Sequence, residues 1–164
     1  MLRDPNLIPL SRQHQHALAL CVRIRRAKLA STREARAWQA EIEQHFEIEI
    51  RHHFAAEEAF VFPSAKQITD LAPLVEELLT EHAQLRANFE AAKARTLDGP
   101  AVRQFAEALS DHIRKEERLL FEKMQQELPA PEMERIGNQI ARAMASVPEL
   151  CIPPTEQVLK KIDD

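Results

Sequence analysis

The sequence predicts an all-α protein, an up-and-down antiparallel four-helix bundle with a short fifth C-terminal helix and an irregular tail. Its 164 residues include only two glycines, and the ten prolines are clustered at a few points. The long stretches between these points are rich in Ala, Leu, Glu, Arg and Gln, which favour helices. Apolar residues recur in them with the helical period, and strands have no clear place. Four long amphipathic helices with short connections form an antiparallel bundle.

The first helix is expected over about residues 11–30, and the second from there to about Phe62. Ser31 and Glu34 have the spacing of a capping box, which begins the second helix. Pro63 should end it, because a proline nitrogen carries no hydrogen for the helical ladder. The inner faces comprise Leu10, His14, Ala17, Leu18, Cys21 and Val22 or Ile24 on the first helix, and Phe46, Ile50, His53, Glu57, Phe60 and Val61 on the second.

The third helix should begin near Asp70 or Pro73 and end where the Asp-Gly-Pro run at residues 98–100 breaks it. A fourth helix follows directly and continues to about Leu128, where Pro129 ends it. The inner faces comprise Val75, Leu78, Leu79, His82, Leu85 and Phe89 on the third helix, and Phe105, Leu109, His112, Glu116, Leu120 and Met124 on the fourth.

The C-terminal part of the chain is expected to cover the bundle and then leave it. Residues 132–145 should form a fifth, shorter helix over one end. Residues 147–164 contain three prolines and should form an extended tail, with at most a helical turn or two around residues 156–161. The chain therefore divides into a bundle with its covering helix, residues 1–146, and a tail, residues 147–164.

Composition excludes several classes of partner. With 22 basic and 26 acidic side chains and no basic block, the chain has no electrostatic footprint for nucleic acid or for an anionic membrane. No stretch has the apolar length of a signal peptide or a membrane span, so we expect a cytoplasmic protein. Cys21 and Cys151 lie far apart, and we interpret both as thiols.

One frame of five side chains occurs twice, as Phe-x₆-His-x₃-Glu-Glu-x₃-Phe. In a helix, His and Glu four residues apart lie on one face about 6 Å apart along the axis. Each copy therefore directs an imidazole and a carboxylate towards the same point, and two copies supply the pairs that a dinuclear metal centre needs. The copies are Phe46, His53, Glu57, Glu58, Phe62 and Phe105, His112, Glu116, Glu117, Phe121.

Each of the four helices places one histidine on its inner face. A single such histidine is usually an ordinary core residue, and the Glu pairs taken alone resemble a solvated acidic flank. Four histidines with two inward carboxylates are different, because a buried charge without a partner costs several kcal/mol. A bound cation removes this cost. The candidate metal ligands are His14, His53, Glu57, His82, His112 and Glu116.

Imidazole nitrogens mixed with carboxylate oxygens, without a thiolate, suit iron or manganese better than structural zinc. We expect two iron ions, joined by an oxide or hydroxide bridge, with manganese or zinc as substitutes. If Glu57 and Glu116 each bridge both ions, each ion has about five ligands and one open position. That position suits a small diatomic ligand such as dioxygen or nitric oxide, or a peroxide.

These residues resemble the hemerythrin-like proteins with the His-His-Glu cation-binding domain. The resemblance covers residues 10–124 and rests on four runs: LSRQH ending at His14, HFAAEE from His53, TEH ending at His82 and HIRKEE from His112. It implies a four-helix bundle around a non-haem di-iron centre held by the six residues named above. Members of the family carry or sense dioxygen, respond to nitric oxide or redox state, take part in iron–sulfur repair or regulate iron.

The resemblance is incomplete at one ligand. Oxygen-carrying members have a fifth histidine four residues from another on the third helix, whereas Leu78 stands four residues before His82. His16, Glu81 or a water could take its place, although His16 lies about 200° around the helix from His14 and is expected at the surface. The missing imidazole favours a sensor or redox protein over an oxygen carrier.

The sequence also suggests roles for five other residues. His45 and Glu49 should form a pair on the flank of the second helix or a polar route towards the site, and His52 should be exposed. Cys21 is interpreted as a small core residue, with a redox-sensitive thiol as the alternative. Trp38 is interpreted as a packing residue.

The sequence thus predicts a di-iron protein that binds or senses dioxygen, nitric oxide or redox state. The alternatives are a di-iron oxidoreductase, acting on peroxide or nitric oxide or in iron–sulfur repair, then iron storage or a metal-free interaction bundle. Whether the protein is an enzyme stays open. A sensor would need a protein partner or a homodimer, and the tail is the natural segment to contact it.

Overall fold

The computed structural model describes residues 2–147, and every regular element in that range is helical. This confirms the predicted all-α class. Helix α1 is Ile8–Arg26, α2 spans residues 32–65, α3 is Ala72–Lys93, α4 spans residues 99–127 and α5 is Ala130–Met144. The predicted tail, apart from Val147, lies outside the described residues. None of the described helices is both long and apolar enough to span a membrane.

The four long helices form the bundle, and the fifth covers one end. Helix α1 packs along α4, and α2 packs along α3, with short connections that make successive helices antiparallel. Helix α5 packs against the second half of α2 and against a 3₁₀ turn, Pro5–Leu7, that precedes α1. Gly137 permits this contact, because a Cβ atom there would lie only 2.1 Å from Oδ1 of Asn6.

Helix α1 lies earlier in the chain than the sequence pattern predicted. Asp4 accepts a hydrogen bond from the backbone N–H of Asn6 and caps the 3₁₀ turn that runs into α1. At the other end, Ala27 is extended and Leu29 has a left-handed φ of 51°, so the helix ends at Arg26 rather than near residue 30. Helix α2 begins as expected, with the capping box between Ser31 and Glu34.

Helices α2 and α4 contain π turns, in which the backbone bonds span five residues. In α2 these are Phe46–Ile50 and Glu57–Val61, and in α4 the turn is Glu116–Leu120. The prediction that Pro63 ends the second helix is therefore wrong. The N–H of Phe62 donates to the Glu57 carbonyl, and a new α-helical segment, Phe62–Ala65, then places the proline in its first turn, where a missing N–H costs least.

The hydrophobic core consists of two apolar clusters with a polar layer between them. One cluster includes Ala17, Phe54, Leu85 and Leu109, and the other includes Leu10, Val61, Leu78 and Leu120. On each long helix, the predicted inner-face histidine falls between a residue of the first cluster and a residue of the second. The helices therefore bring the candidate ligands to one level of the bundle and enclose them in apolar surroundings.

Candidate metal centre

The structure buries the six predicted ligand residues in the polar layer. Their exposed fractions range from 0% for Glu57, Glu116 and His82 to 4% for His53. Carboxylates and imidazoles are rarely so deeply buried without a partner. These six side chains therefore need a partner inside the protein that neutralises their charge and bonds their polar atoms.

The six side chains form two overlapping groups that share both carboxylates. The first contains His14 and His53 with Glu57 and Glu116, and the second contains His82 and His112 with the same two residues. In each group the four ligand atoms, one per residue, all lie within 4.8 Å of one another. Each group could hold one metal ion, so together they have the layout of a dinuclear site.

Each carboxylate directs one oxygen to each histidine pair. Oε1 of Glu57 lies 3.1 Å from Nε2 of His53, and its Oε2 lies 3.5 Å from Nε2 of His82. Oε2 of Glu116 lies 3.2 Å from Nε2 of His14, and its Oε1 lies 3.2 Å from Nε2 of His112. Each carboxylate thus faces both histidine pairs and could supply an oxygen to a metal ion in either group.

Many of these inward atoms have no hydrogen-bond partner among the described residues. They are both oxygens of Glu57, both oxygens of Glu116, Nε2 of His82 and Nε2 of His112. A buried donor or acceptor without a partner costs about 1 to 3 kcal/mol, and more when it is charged. Because metal ions would bond all six atoms, the donor set fits a metal centre.

The outer nitrogen of each histidine is held by a hydrogen bond. In three of them Nδ1–H donates to a carboxylate oxygen. The pairs are His14 with Glu117 at 2.6 Å, His82 with Glu58 at 2.8 Å and His112 with Glu81 at 2.8 Å. Nδ1–H of His53 donates to the amide oxygen of Gln13 at 2.9 Å. Each bond fixes the tautomer that leaves the Nε2 lone pair directed inward, as metal-binding histidines require.

The last phenylalanine of each repeated frame packs against a histidine of a different helix. The ring centroid of Phe62 lies 5.3 Å from that of His82, and the ring of Phe121 stacks on His14 with centroids 5.7 Å apart. These contacts explain why the frame includes an aromatic residue four positions after its second glutamate. They limit the rotation of the histidine rings and keep water from them.

The acidic surroundings raise the pKa of two histidines in the metal-free centre. Burial alone would lower the pKa of His14, but the carboxylate of Glu116, 3.2 Å from its Nε2, and a hydrogen bond to Glu117 raise it to about 9. Burial likewise opposes protonation of His112, but the charge of the nearby Glu116 carboxylate and a hydrogen bond to Glu81 raise its pKa to about 10. Burial raises the pKa of Glu116 itself, yet His112 and His14 hold it well below its ordinary range. Metal ions must displace protons to bind here.

Neither side chain suggested for the missing fifth ligand joins the two groups. Nδ1 of His16 lies 2.9 Å from Oε1 of Glu49, and Glu81 bonds His112 and Lys115. The position four residues before His82 is occupied by Leu78, which is fully buried in an apolar cluster. Neither His16 nor Glu81 therefore belongs to either group of candidate ligands.

Several other expectations need correction. His45 and Glu49 are buried inside the protein, so they do not form a pair on its flank, and the alternative of a polar route towards the site stays a prediction. His52 and His16 are half-buried. Burial, with the charges of Arg23 and His16, lowers the pKa of His45 to about 4. The helical period predicted which residues share a face, but it could not show how widely the neighbouring helix covers that face.

Two further predictions concern packing residues. Cys21 is fully buried in an apolar cluster, and burial raises the pKa of its thiol to about 12, which favours a packing role over a redox role. Trp38 is buried in the same cluster and carries the guanidinium of Arg23 over its ring at 5.3 Å, in agreement with a packing role. Cys151 lies outside the described residues.

The sequence analysis missed the residues that hold the outer histidine nitrogens. Glu58 and Glu117 entered the prediction only as members of the repeated frame, without a role in the centre, although the doubled Glu-Glu pair was itself the signal. Glu81 was considered only as a direct ligand, and Gln13 was not considered at all. Both of these precede a histidine directly in the sequence, at His82 and His14. Such neighbours are candidates because adjacent helical residues can reach the outer face of a histidine on another helix.

A narrow cavity borders the centre on the side of His14 and His53. Apolar side chains of Ala17, Ile50 and Leu109 line it. It has room for about one water-sized molecule. Its walls are largely apolar, and the candidate ligands His14 and His53 form part of them.

A family comparison agrees with this geometry. The model of the hemerythrin HHE cation-binding domain matches residues 9–124, which include both histidine pairs and both shared carboxylates. No significant match was found among curated proteins or among solved structures. The family match spans well over half of the chain. The chain therefore belongs to the family defined by the hemerythrin HHE cation-binding domain.

Proposed function

We propose that this protein binds two iron ions, one between His14 and His53 and the other between His82 and His112. Glu57 and Glu116 would bridge the ions. The observation that supports this proposal best is that each carboxylate directs one oxygen to each histidine pair. The spacing of Nε2 of His14 and Nε2 of His53, 2.8 Å, also agrees with neighbouring ligands of one ion, which lie about 3 Å apart.

Iron is the metal that this donor set favours. Each position offers two imidazole nitrogens and two carboxylate oxygens, with no thiolate, so manganese and zinc are substitutes and not the first choice. Iron bound here would supply redox chemistry and open positions for small ligands. Four protein atoms per ion leave room in an octahedral shell for a bridge and for an exchangeable ligand.

We propose further that the bound centre binds or senses dioxygen, nitric oxide or redox state. The cavity beside His14 and His53 supports this function, because its apolar walls and small volume suit a diatomic molecule. The protein's own contribution is to hold the four imidazoles by their outer nitrogens and to keep bulk water away.

The second candidate function is that of a di-iron oxidoreductase acting on peroxide or nitric oxide. Leu78 favours it, because an apolar side chain in place of a further imidazole leaves one more coordination position to water. An extra exchangeable position suits turnover better than stable storage of one bound molecule. Stopped-flow mixing of the reduced, loaded protein with peroxide would separate repeated turnover from single binding.

Metal analysis of untagged protein tests the proposal directly. After anaerobic loading with Fe²⁺ and desalting, about two iron ions per chain are expected. The visible absorption should change on reduction and again on exposure to dioxygen or nitric oxide. Fewer than about one ion per chain after loading contradicts the di-iron assignment.

Two variants provide a matched comparison. His112→Ala should lower the iron content, because His112 belongs to one of the two groups. His52→Ala should leave it unchanged, because this half-buried histidine on α2 belongs to neither. Loss of metal from His52→Ala with full loading of His112→Ala would contradict the proposed ligand set.

A further inference from the structure

We infer that Gln13 makes the two metal positions unequal, so that the position between His14 and His53 binds metal more weakly and is reduced more readily. This inference rests on the proposed di-iron function. It concerns how the chain tunes each position from outside the ligands. It is carried by the hydrogen bonds on the outer nitrogens of the four histidines.

Three of the four histidines have the same kind of outer support. Each donates Nδ1–H to a carboxylate, and each of these carboxylates is in turn paired with a cationic side chain. The pairs are Glu117 with Arg3 behind His14, Glu58 with Arg86 behind His82, and Glu81 with Lys115 behind His112.

The fourth histidine has an outer support without charge. Nδ1–H of His53 donates to Oε1 of Gln13, and Nε2 of Gln13 lies 3.4 Å from the sulfur of Met144 on α5. A thioether can only accept, so the amide nitrogen faces Met144 and the amide oxygen faces His53. This contact orients the glutamine and keeps the inner nitrogen of His53 free for a metal ion.

The centre has an approximate two-fold symmetry that makes this difference specific. Each half of the chain supplies first a single histidine and then a His-x₃-Glu-Glu run. The histidine of the run donates Nδ1–H to the residue that directly precedes the single histidine of the same half. In the first half that residue is Gln13, before His14, and it supports His53. In the second half it is Glu81, before His82, and it supports His112. Gln13 and Glu81 are equivalent positions with different charge.

A carboxylate acceptor makes an imidazole a stronger electron donor than a neutral amide does. At the position between His82 and His112, both imidazoles donate to a carboxylate. At the position between His14 and His53, only His14 donates to a carboxylate. Both positions have the same inner donors, two nitrogens and two carboxylate oxygens. The difference in metal affinity and reduction potential therefore arises from Gln13, which acts as a positioning residue through His53.

Two reciprocal variants test this inference. Co²⁺ titration of the metal-free protein, followed by absorption and calorimetry, should give two binding steps of unequal affinity in the wild type. Gln13→Glu should tighten the weaker step about tenfold and bring the two steps together. Glu81→Gln should weaken the stronger step by about the same factor and also bring them together.

The iron-loaded protein gives a second measurement that a purely structural role would not change. Gln13→Glu should lower the midpoint potential of the centre, and Glu81→Gln should raise it. Circular dichroism should show that both variants keep the helical content of the wild type. Gln13→Leu, which keeps the volume but loses the acceptor, should weaken the weaker Co²⁺ step and leave the stronger one unchanged.

The outcomes separate this inference from the proposed function. If wild-type protein binds neither Co²⁺ nor iron, the proposed function fails and the inference fails with it. If it binds two ions with equal affinity, or if Gln13→Glu alters both steps or neither, the inference is wrong while the dinuclear site stands.

Discussion

The Nε2 atoms of His14 and His53 lie 2.8 Å apart in the core. Both rings already donate their Nδ1–H outward, to Glu117 and to Gln13. In the absence of metal, two facing lone pairs would repel, so one ring must carry a second proton. The raised pKa of His14, about 9, identifies that ring.

We therefore predict that metal binding releases protons. At pH 7.5 the metal-free protein should hold extra protons on His14 and His112, whose pKa values of about 9 and about 10 lie above this pH. Binding of two ions should then release about two protons per chain. Calorimetry in buffers of different ionisation enthalpy measures this number. The release should fall towards zero above pH 10, and a heat independent of the buffer at pH 7.5 would contradict the prediction.

Acid should destabilise the metal-free protein partly through His45. Burial, with Arg23 and His16, lowers its pKa from 6.5 to about 4. As the pH falls from 6.5 to 4, the unfolded chain takes up this proton first, so the free energy of unfolding decreases by up to about 3 kcal/mol. His45→Gln should lose that much less stability over this interval in urea titrations. His52→Gln serves as the control and should follow the wild-type curve.

Replacement of a shared carboxylate should affect both metal positions. Glu57 directs one oxygen to each histidine pair, so Glu57→Gln is expected to reduce the metal content from about two ions per chain to less than one. His53→Ala, which removes a ligand of one group only, should retain about one ion. Metal analysis after desalting distinguishes the two. Equal losses in both variants would show that Glu57 does not bridge.

Much of the fold and of the centre could be predicted because both depend on spacing along single helices. The duplicated frame put His53 with Glu57 and His112 with Glu116 on common faces, and the structure places them so. The π turns could not be predicted in this way. Two of the three begin at Glu57 and Glu116, and a widened turn has no residue pattern of its own, since packing against other helices decides it.

The residues that bond the outer nitrogens of the histidines could not be predicted for a related reason. Periodicity shows which way Glu58 and Glu117 point, but not which helix stands opposite them. Glu58 meets His82 on α3 and Glu117 meets His14 on α1, contacts between residues far apart in the sequence. Only the assembled bundle distinguishes such a carboxylate from one on the solvated surface.

Introduction of a fifth histidine should lower the stability of the metal-free protein and raise its affinity for metal. Leu78→His places an imidazole in an apolar cluster and is expected to lower the free energy of unfolding by about 2 to 4 kcal/mol. Metal should recover this loss, because the new ring lies one turn from His82. Thermal unfolding with and without Co²⁺ measures both effects. A variant that gains no more from Co²⁺ than wild type does would contradict the prediction.

Two of the four outer bonds of the centre cross from one half of the chain to the other. His14 in the first helical hairpin is held by Glu117 of the second, and His82 of the second is held by Glu58 of the first. Neither hairpin can orient its own leading histidine. The exchange is reciprocal, like that across the interface of a symmetric dimer, although a single chain provides both sides. Metal binding at the centre should therefore depend on assembly of the bundle, because both metal positions are complete only when the two hairpins have docked in register.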